Sequence, residues 1–269
     1  MKIGINIRVM GHQSSPDIIS NILTQADQAG IESAWIVDHI AIPPDDSEGS
    51  GGRYLDPLTT LAWMAALTRQ IKIGTSVLVL PYRPPLPTAK SLATIQELSG
   101  GRLLLGVGIG WMAPEFRALG VPRQKRGQIA DDTLSFLHDC FDHDVVEANG
   151  QPFLFNPRPA KPPMYIGGGA PHAIDRALRS GTGWMPMGRL EKIAPQIRAF
   201  RQRAEATGHP GEVVTFISLS DEAAEAEQQL RDYENAGVTR VIVSRPYDDA
   251  EAWLPTIELI HQLQESLWN

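Results

Sequence analysis

The amino-acid sequence reads as an α/β protein, a (β/α)₈ TIM barrel with inserted loops. Three observations lead there. Short apolar runs alternate with helical stretches along the whole chain. Several runs are apolar throughout, among them WIV at 35–37, SVLVL at 76–80, LLLGV at 103–107 and VIV at 241–243. Strands look like this when both faces of a parallel sheet are covered. Finally, eight strand–helix units account for the 269 residues, so residues 1–269 are taken as a single barrel domain. A doubly wound sheet is the alternative.

Residues 2–9 form the first short strand. Ser15, Pro16 and Asp17 open a helix, because serine caps and proline suits the first turn. Ile18, Ile19, Ile22, Leu23 and Ala26 then share one stripe, and Gly30 closes it. Residues 33–37 are the second strand, followed by Asp38 and His39 and a loop rich in proline and glycine over 42–56. A helix over 58–67 leads to the third strand at 72–79. A helix over 88–98 ends at Gly100 and Gly101, and strand four spans 102–107. Residues 111–127 read as a long loop with one helical turn, followed by a helix over 128–141. Asn149-Gly150 between 145–147 and 153–155 signals an inserted hairpin. Strands at 164–166, 183–185, 213–217 and 238–243 complete the eight, each followed by a helix.

The formal net charge is −7, which speaks against a generic nucleic-acid binder. No window approaches the roughly 18 apolar residues of a membrane span. MKIGINIRV reads as a strand and not a signal peptide. Cys140 is the one cysteine, which excludes an intramolecular disulfide and a cysteine zinc cluster. These features point to the cytoplasm and to a small-molecule ligand, with neither nucleic acid nor membrane as partner.

A barrel of this kind carries its site at the C-terminal strand ends. His39 is the first acid/base candidate there, since imidazole exchanges protons near neutral pH. Asp38 precedes it, and consecutive strand residues point apart, so one reaches a ligand while the other supports the loop. Gly106-Val-Gly-Ile-Gly110 fails the dinucleotide fingerprint because Trp111 holds its last position. Gly108 and its neighbours either let a flat ligand approach or pack the rim. Gly167, Gly168 and Gly169 before Ala170 and a helix suit an anion, which free N–H groups and a helix N-terminus attract. Gly188 and Arg189 offer a second wall with a fixed charge. Arg189-Leu190 replaces the lysine and hydroxyl of a P-loop, so that motif is rejected. Arg83, in a stiff proline loop, either faces an anionic ligand or braces the surface. Trp111 is placed to line a cavity, whereas Trp35, Trp63 and Trp184 suit the core. His138 to His143 reads as a solvated helix end more readily than as a metal site.

Four segments carry a family resemblance: AGIESAWIVDHIAIP at 29–43, IKIGTSVLVLPYRPPLPTAKSLATIQELSGGRLLLGVGIGW at 71–111, EFRALGVPRQKRG at 115–127 and PMYIGGGAPHAIDRALRSGTGWMP at 163–186. The chain resembles the luciferase-like monooxygenase superfamily, and within it the coenzyme F420-dependent oxidoreductases. The resemblance implies a hydride exchange between F420 and a small organic substrate, with His39 handling the coupled proton and Asp38 beside it. It implies that Ser76 and Val77 form a bulge beneath the ring, often with a cis peptide. It places the phosphate at Gly168, Gly169 and Ala170, with Met187 and Gly188 as the second wall. FMN is the alternative cofactor, which would make the reaction a monooxygenation. A reductase or dehydrogenase that reduces flavin or F420, and a homodimer, are the implied partners. Trp111 stands where some sugar-phosphate dehydrogenases of the superfamily carry a catalytic glutamate, so the same acid and substrate are not expected. Glu115, four residues on, is read as a loop residue. A non-catalytic flavin-binding protein and an unrelated barrel lyase or isomerase are the competing classes. The first lacks a use for His39. The second needs a lysine or a carboxylate pair at C-terminal strand ends, and no lysine stands there.

Overall fold

Eight parallel strands close into a barrel in the computed structural model, which describes residues 1–268. They are β1 (Lys2–Asn6), β2 (Ser33–Ile36), β3 (Lys72–Val79), β4 (Leu103–Gly108), β7 (Met164–Gly167), β8 (Gly183–Met185), β9 (Glu212–Ile217) and β10 (Arg240–Val243). The hairpin of β5 (Val145–Ala148) and β6 (Gln151–Leu154) lies outside the ring, between β4 and β7 in sequence. β1 closes the ring by pairing with both β2 and β10.

The helices are α1 (Pro16–Gln28), α2 (Pro57–Leu67), α3 (Pro85–Leu98), α4 (Ala113–Ala118), α5 (Arg126–Asp142), α6 (His172–Ser180), α7 (Leu190–Thr207), α8 (Ala223–Asn235) and α9 (Leu254–Trp268). Ser15 caps α1 as expected, its hydroxyl accepting from the Ile18 N–H at 3.3 Å. Asn149 and Gly150 both take positive φ, the geometry of the hairpin turn.

Several boundaries differ from the sequence reading. β1 ends at Asn6, although the Ile7 N–H still reaches the Trp35 carbonyl at 2.8 Å. α3 starts at Pro85 and not at residue 88, because prolines in a first turn sacrifice N–H groups that have no helical partner anyway. α5 starts at Arg126 and not at 128. The span 111–127 is more ordered than a loop, for it contains α4 and a 3₁₀ turn over Arg123–Lys125.

The main core lies between strands and helices, and a smaller one fills the barrel with Trp35, Leu104, Tyr165, Met185, Val214 and Ile242. Close packing decides the role of Gly106. A Cβ there would lie 2.1 Å from the Thr75 carbonyl oxygen. At the N-terminal end of the barrel, Arg240 is 1% exposed and pairs with Glu32 through two nitrogens, each at 2.9 Å. Its third nitrogen donates to the Tyr165 hydroxyl at 2.8 Å. Burial pushes the Glu32 carboxyl up, but Arg240 and Lys72 outweigh it and hold it at about 2.

The His138 to His143 stretch ends α5. His138 Nε2 lies 2.9 Å from the Ser180 carbonyl, and no metal-holding group of His, Cys, Asp or Glu occurs among the described residues. Cys140 is buried, and burial pushes its thiol up to about 11. No helix among the described residues is long and apolar enough to cross a membrane.

Candidate active site

A cavity of about 520 Å³ opens at the C-terminal strand ends. Its walls take in Asp38, His39, Ser76, Val77, Gly108, Trp111, Gly167, Gly168 and Gly169, residues the sequence scatters between positions 38 and 169.

The floor is made by β3. The Ser76–Val77 peptide is cis, and the β3–β4 register shifts between Thr75 and Leu78. This bulge turns the Val77 side chain onto the strand-end glycines. A Cβ on Gly108 would lie 2.5 Å from Val77 Cγ2, and one on Gly167 would lie 2.8 Å from Val77 Cγ1. The glycines therefore pack tightly against Val77, one of the two readings the sequence left open.

Asp38 and His39 diverge, as consecutive residues leaving a strand do. Asp38 is buried and accepts from the Val79 N–H at 2.9 Å and from both terminal nitrogens of Arg83, at 2.6 and 2.9 Å. Burial pushes its carboxyl above the ordinary value against the pull of Arg83. Arg83 also reaches Asp56 at 2.8 Å. Arg83 is thus a brace tying β2, β3 and α2 together, the second of the two readings the sequence left open.

His39 turns the other way. Its Nδ1 lies 3.0 Å from Glu115 Oε2. Tyr54 and Trp111 flank the ring, with centroids at 5.0 and 6.2 Å. Glu115 is the residue that sequence reasoning undervalued. It lies on α4 and not in a loop, and its side chain is 0% exposed. Phe116 anchors that helix by packing on Tyr82. Glu115 accepts from the Tyr82 hydroxyl at 2.7 Å and from the N–H groups of Ile40 and Ala41 at 2.6 and 3.1 Å. Burial pushes its carboxyl up, but His39, Tyr82 and the two amides outweigh it and hold it at about 2. An ionised carboxylate only accepts hydrogen bonds. Nδ1 of His39 must therefore carry the hydrogen, which leaves Nε2 as the nitrogen able to exchange a proton.

Nothing in the sequence links 39 to 115. The one signal was an acidic residue just past the Gly-Trp strand end.

The glycine turn joins β7 to α6. Gly168 has φ of 124°, which favours glycine, and its carbonyl accepts from Trp184 Nε1 at 2.9 Å. The N–H groups of Gly168, Gly169 and Ala170 donate to no acceptor among the described residues. Free N–H groups at a helix start are of the kind that could hold the phosphate of a flavin-like cofactor, and Val77 and Gly108 border the space its ring would take. Arg126 also lines this cavity, with a buried Nε that finds no acceptor.

Two placements differ from expectation. Ala170 is not part of the cavity wall. Gly188 and Arg189 line an adjoining cavity of about 760 Å³, which shares Val37, Ser76, Met187 and Phe216 with the first. The two expected phosphate walls thus face two connected spaces, and of the residues expected in those walls Met187 borders both.

Comparison with known proteins follows the same line. The family model for luciferase-like monooxygenases matches residues 1–268. An uncharacterised protein of Mycobacterium tuberculosis is 30% identical over 240 residues, covering 81% of each chain. A protein of Amycolatopsis mediterranei named F420-dependent glucose-6-phosphate dehydrogenase is 28% identical over 235 residues, covering 80% of this chain and 68% of that one. An F420-dependent secondary alcohol dehydrogenase, solved with an F420–acetone adduct, superposes with a TM-score of 0.80 at 14% identity and covers 100% of this chain and 99% of that one. A type II Baeyer–Villiger monooxygenase from Pseudomonas putida, solved with FMN, gives 0.74 at 13% identity, covering 99% and 97%. At these identities the two structures establish the shared fold.

Proposed function

The chain belongs to the luciferase-like monooxygenase family, and from that premise we propose that it is an F420-dependent oxidoreductase acting on a small organic substrate. When bound, the deazaflavin supplies hydride exchange with a substrate carbon. The chain's own residues do the rest. Ser76, Val77 and Gly108 carry the ring, and the N–H groups of Gly168, Gly169 and Ala170 hold the phosphate. His39 Nε2 takes or returns the proton coupled to hydride exchange. Glu115 aims the ring by holding Nδ1–H, which turns Nε2 to the cavity side. Trp111, Ile109 and Phe216 line the cavity with apolar surface and restrict water.

The observation that carries this reading is the orientation of His39. Its Nδ1 is committed to a buried, ionised carboxylate, while the residue borders a cavity lined by Val77 and the strand-end glycines. A purely cofactor-binding protein has no use for such a pair.

The FMN reading has its own support in the likeness to the FMN-bound monooxygenase. Absorbance titration with F420 and with FMN separates the two. Saturable binding of F420 in preference to FMN is the expected result. Preference for FMN would transfer the assignment to a monooxygenase, and failure to bind either would remove both. Turnover is then sought with a panel of secondary alcohols and sugar phosphates, the substrates named for the two F420-dependent proteins above.

A further inference from the structure

A third space opens at the same end of the barrel, beyond β1 and β10. It measures about 300 Å³ and touches both cavities already described through Val37, and the larger of them also through Ser218 and Ser244. Its chemistry differs from theirs. Arg8 and Arg245 line it, and no aspartate or glutamate does. That is notable in a chain whose formal net charge is −7.

The polar atoms there are incompletely matched within the protein. The Arg8 guanidinium has no ion pair or side-chain hydrogen bond among the described residues; only its backbone N–H is used, donating to the Tyr247 hydroxyl at 2.8 Å. Arg245 Nη1 donates to Asp221 Oδ1 at 3.0 Å and to Thr256 Oγ1, yet its Nε is buried without an acceptor. Asn6 donates from Nδ2 to Ser244 Oγ at 3.3 Å, which leaves its buried Oδ1 without a donor. Buried polar groups are nearly always satisfied, and an orphaned one costs free energy. One unpaired guanidinium, that of Arg8, and one buried N–H, Arg245 Nε, lack an acceptor, and one amide oxygen lacks a donor.

We propose that this pocket binds an oxyanionic group of the substrate, a carboxylate or a phosphate, whose neighbouring hydroxyl donates to Asn6 Oδ1. Arg8 and Arg245 Nε hold the oxyanion, in the charge-assisted geometry guanidinium groups favour. The pocket adjoins the His39 cavity, so an anchored oxyanion leaves the rest of a small molecule extending toward His39. The assignment to substrate rests on the reading of that cavity as the hydride-exchange site.

The test is calorimetric titration of the full chain, with and without saturating F420 or FMN, at constant ionic strength. The probes are inorganic phosphate, glycolate and acetate. Saturable phosphate binding that persists with cofactor present is expected, because the cofactor then fills the glycine turn. Arg8→Met and Arg245→Met should each weaken it about tenfold. Glycolate should bind more tightly than acetate, and Asn6→Ala should erase that difference. Binding that is absent, or equal in the double arginine variant, overturns the proposal. Arg8→Lys, which keeps the charge, provides an intermediate should the methionine variants misfold, with near-ultraviolet circular dichroism as the folding check. Cofactor affinity unchanged in the double variant supports a substrate oxyanion. A parallel loss of cofactor affinity assigns the pocket to the cofactor's own side chain and overturns the substrate assignment. If neither cofactor binds the unaltered chain, the function proposed above fails, while the phosphate and glycolate arms still decide whether the pocket takes an oxyanion.

Discussion

The two ends of the barrel each hold a glutamate at about 2, and they do so to different effect. At the N-terminal end, Glu32 meets Arg240 and Lys72, and Arg240 spends its remaining nitrogen on Tyr165. Every nitrogen of Arg240 has a partner, so the cluster is a plug. At the C-terminal end, Glu115 has no arginine. It is satisfied by two backbone amides, a tyrosine and one imidazole nitrogen. That leaves His39 Nε2 uncommitted beside a cavity. Saturation marks a structural network, and a single uncommitted group marks a working one.

Breaking the plug should give the largest effect. Arg240→Ala leaves the half-buried Glu32 carboxylate with Lys72 as its charged partner and Tyr165 without its arginine, and should destabilise the fold by about 3 kcal/mol. Urea unfolding measures it, and a loss under about 1 kcal/mol would deny the plug its role.

Acid should reach both ends. The ordinary glutamate value is 4.5, and both residues sit at about 2 in the folded state. A depressed folded value means that the stability is complete above about 4.5 and declines as pH falls toward 2. For each residue this amounts to about 3 kcal/mol. The urea midpoint followed from pH 5 to 2.5 should fall steeply. Glu115→Gln and Glu32→Gln should each flatten that slope, and an unchanged slope would contradict the assignment for that residue.

His39→Ala should separate the ends by function. Turnover should drop about a hundredfold, with cofactor affinity within a few-fold of the unaltered protein. Equal turnover would remove His39 from proton handling.

The smallest and most specific effect belongs to Glu115→Gln. The amide oxygen must stay on the Ile40 and Ala41 N–H groups, which turns its NH₂ toward His39. Nδ1 then has to accept, and the ring hydrogen moves to Nε2. Nitrogen-15 shifts of His39 should report that tautomer change, together with a loss of about tenfold in turnover. An unchanged tautomer would show that Glu115 does not set it.

Much of the barrel was legible because strand and helix periodicities are local. Ser15, Gly30 and Asn149-Gly150 mark boundaries by chemistry that acts within a few residues. The boundaries that failed did so where local signals conflict. The prolines at 85 and 87 look like helix breakers until they are placed in the first turn. Residues 111–127 show little periodicity because α4 is a short helix anchored by Phe116 against Tyr82, a contact across 34 residues.

The candidate site divides in the same way. His39, Asp38 and the glycine turn could be nominated because strand ends face the site in any such barrel. Their partners could not. Glu115 joins His39 across 76 residues, Arg83 joins Asp38 across 45, and Arg245 and Arg8 meet at one pocket only because β1 and β10 close the ring. The amino-acid order alone determined the alternation, the closure into eight units and which residues stand at the working end. Three-dimensional packing determined which of them are braced, which are committed and which remain available. The reason is physical: capping and periodicity are short-range, whereas the protonation and pairing of a buried group depend on whatever the fold brings within about 3 Å of it.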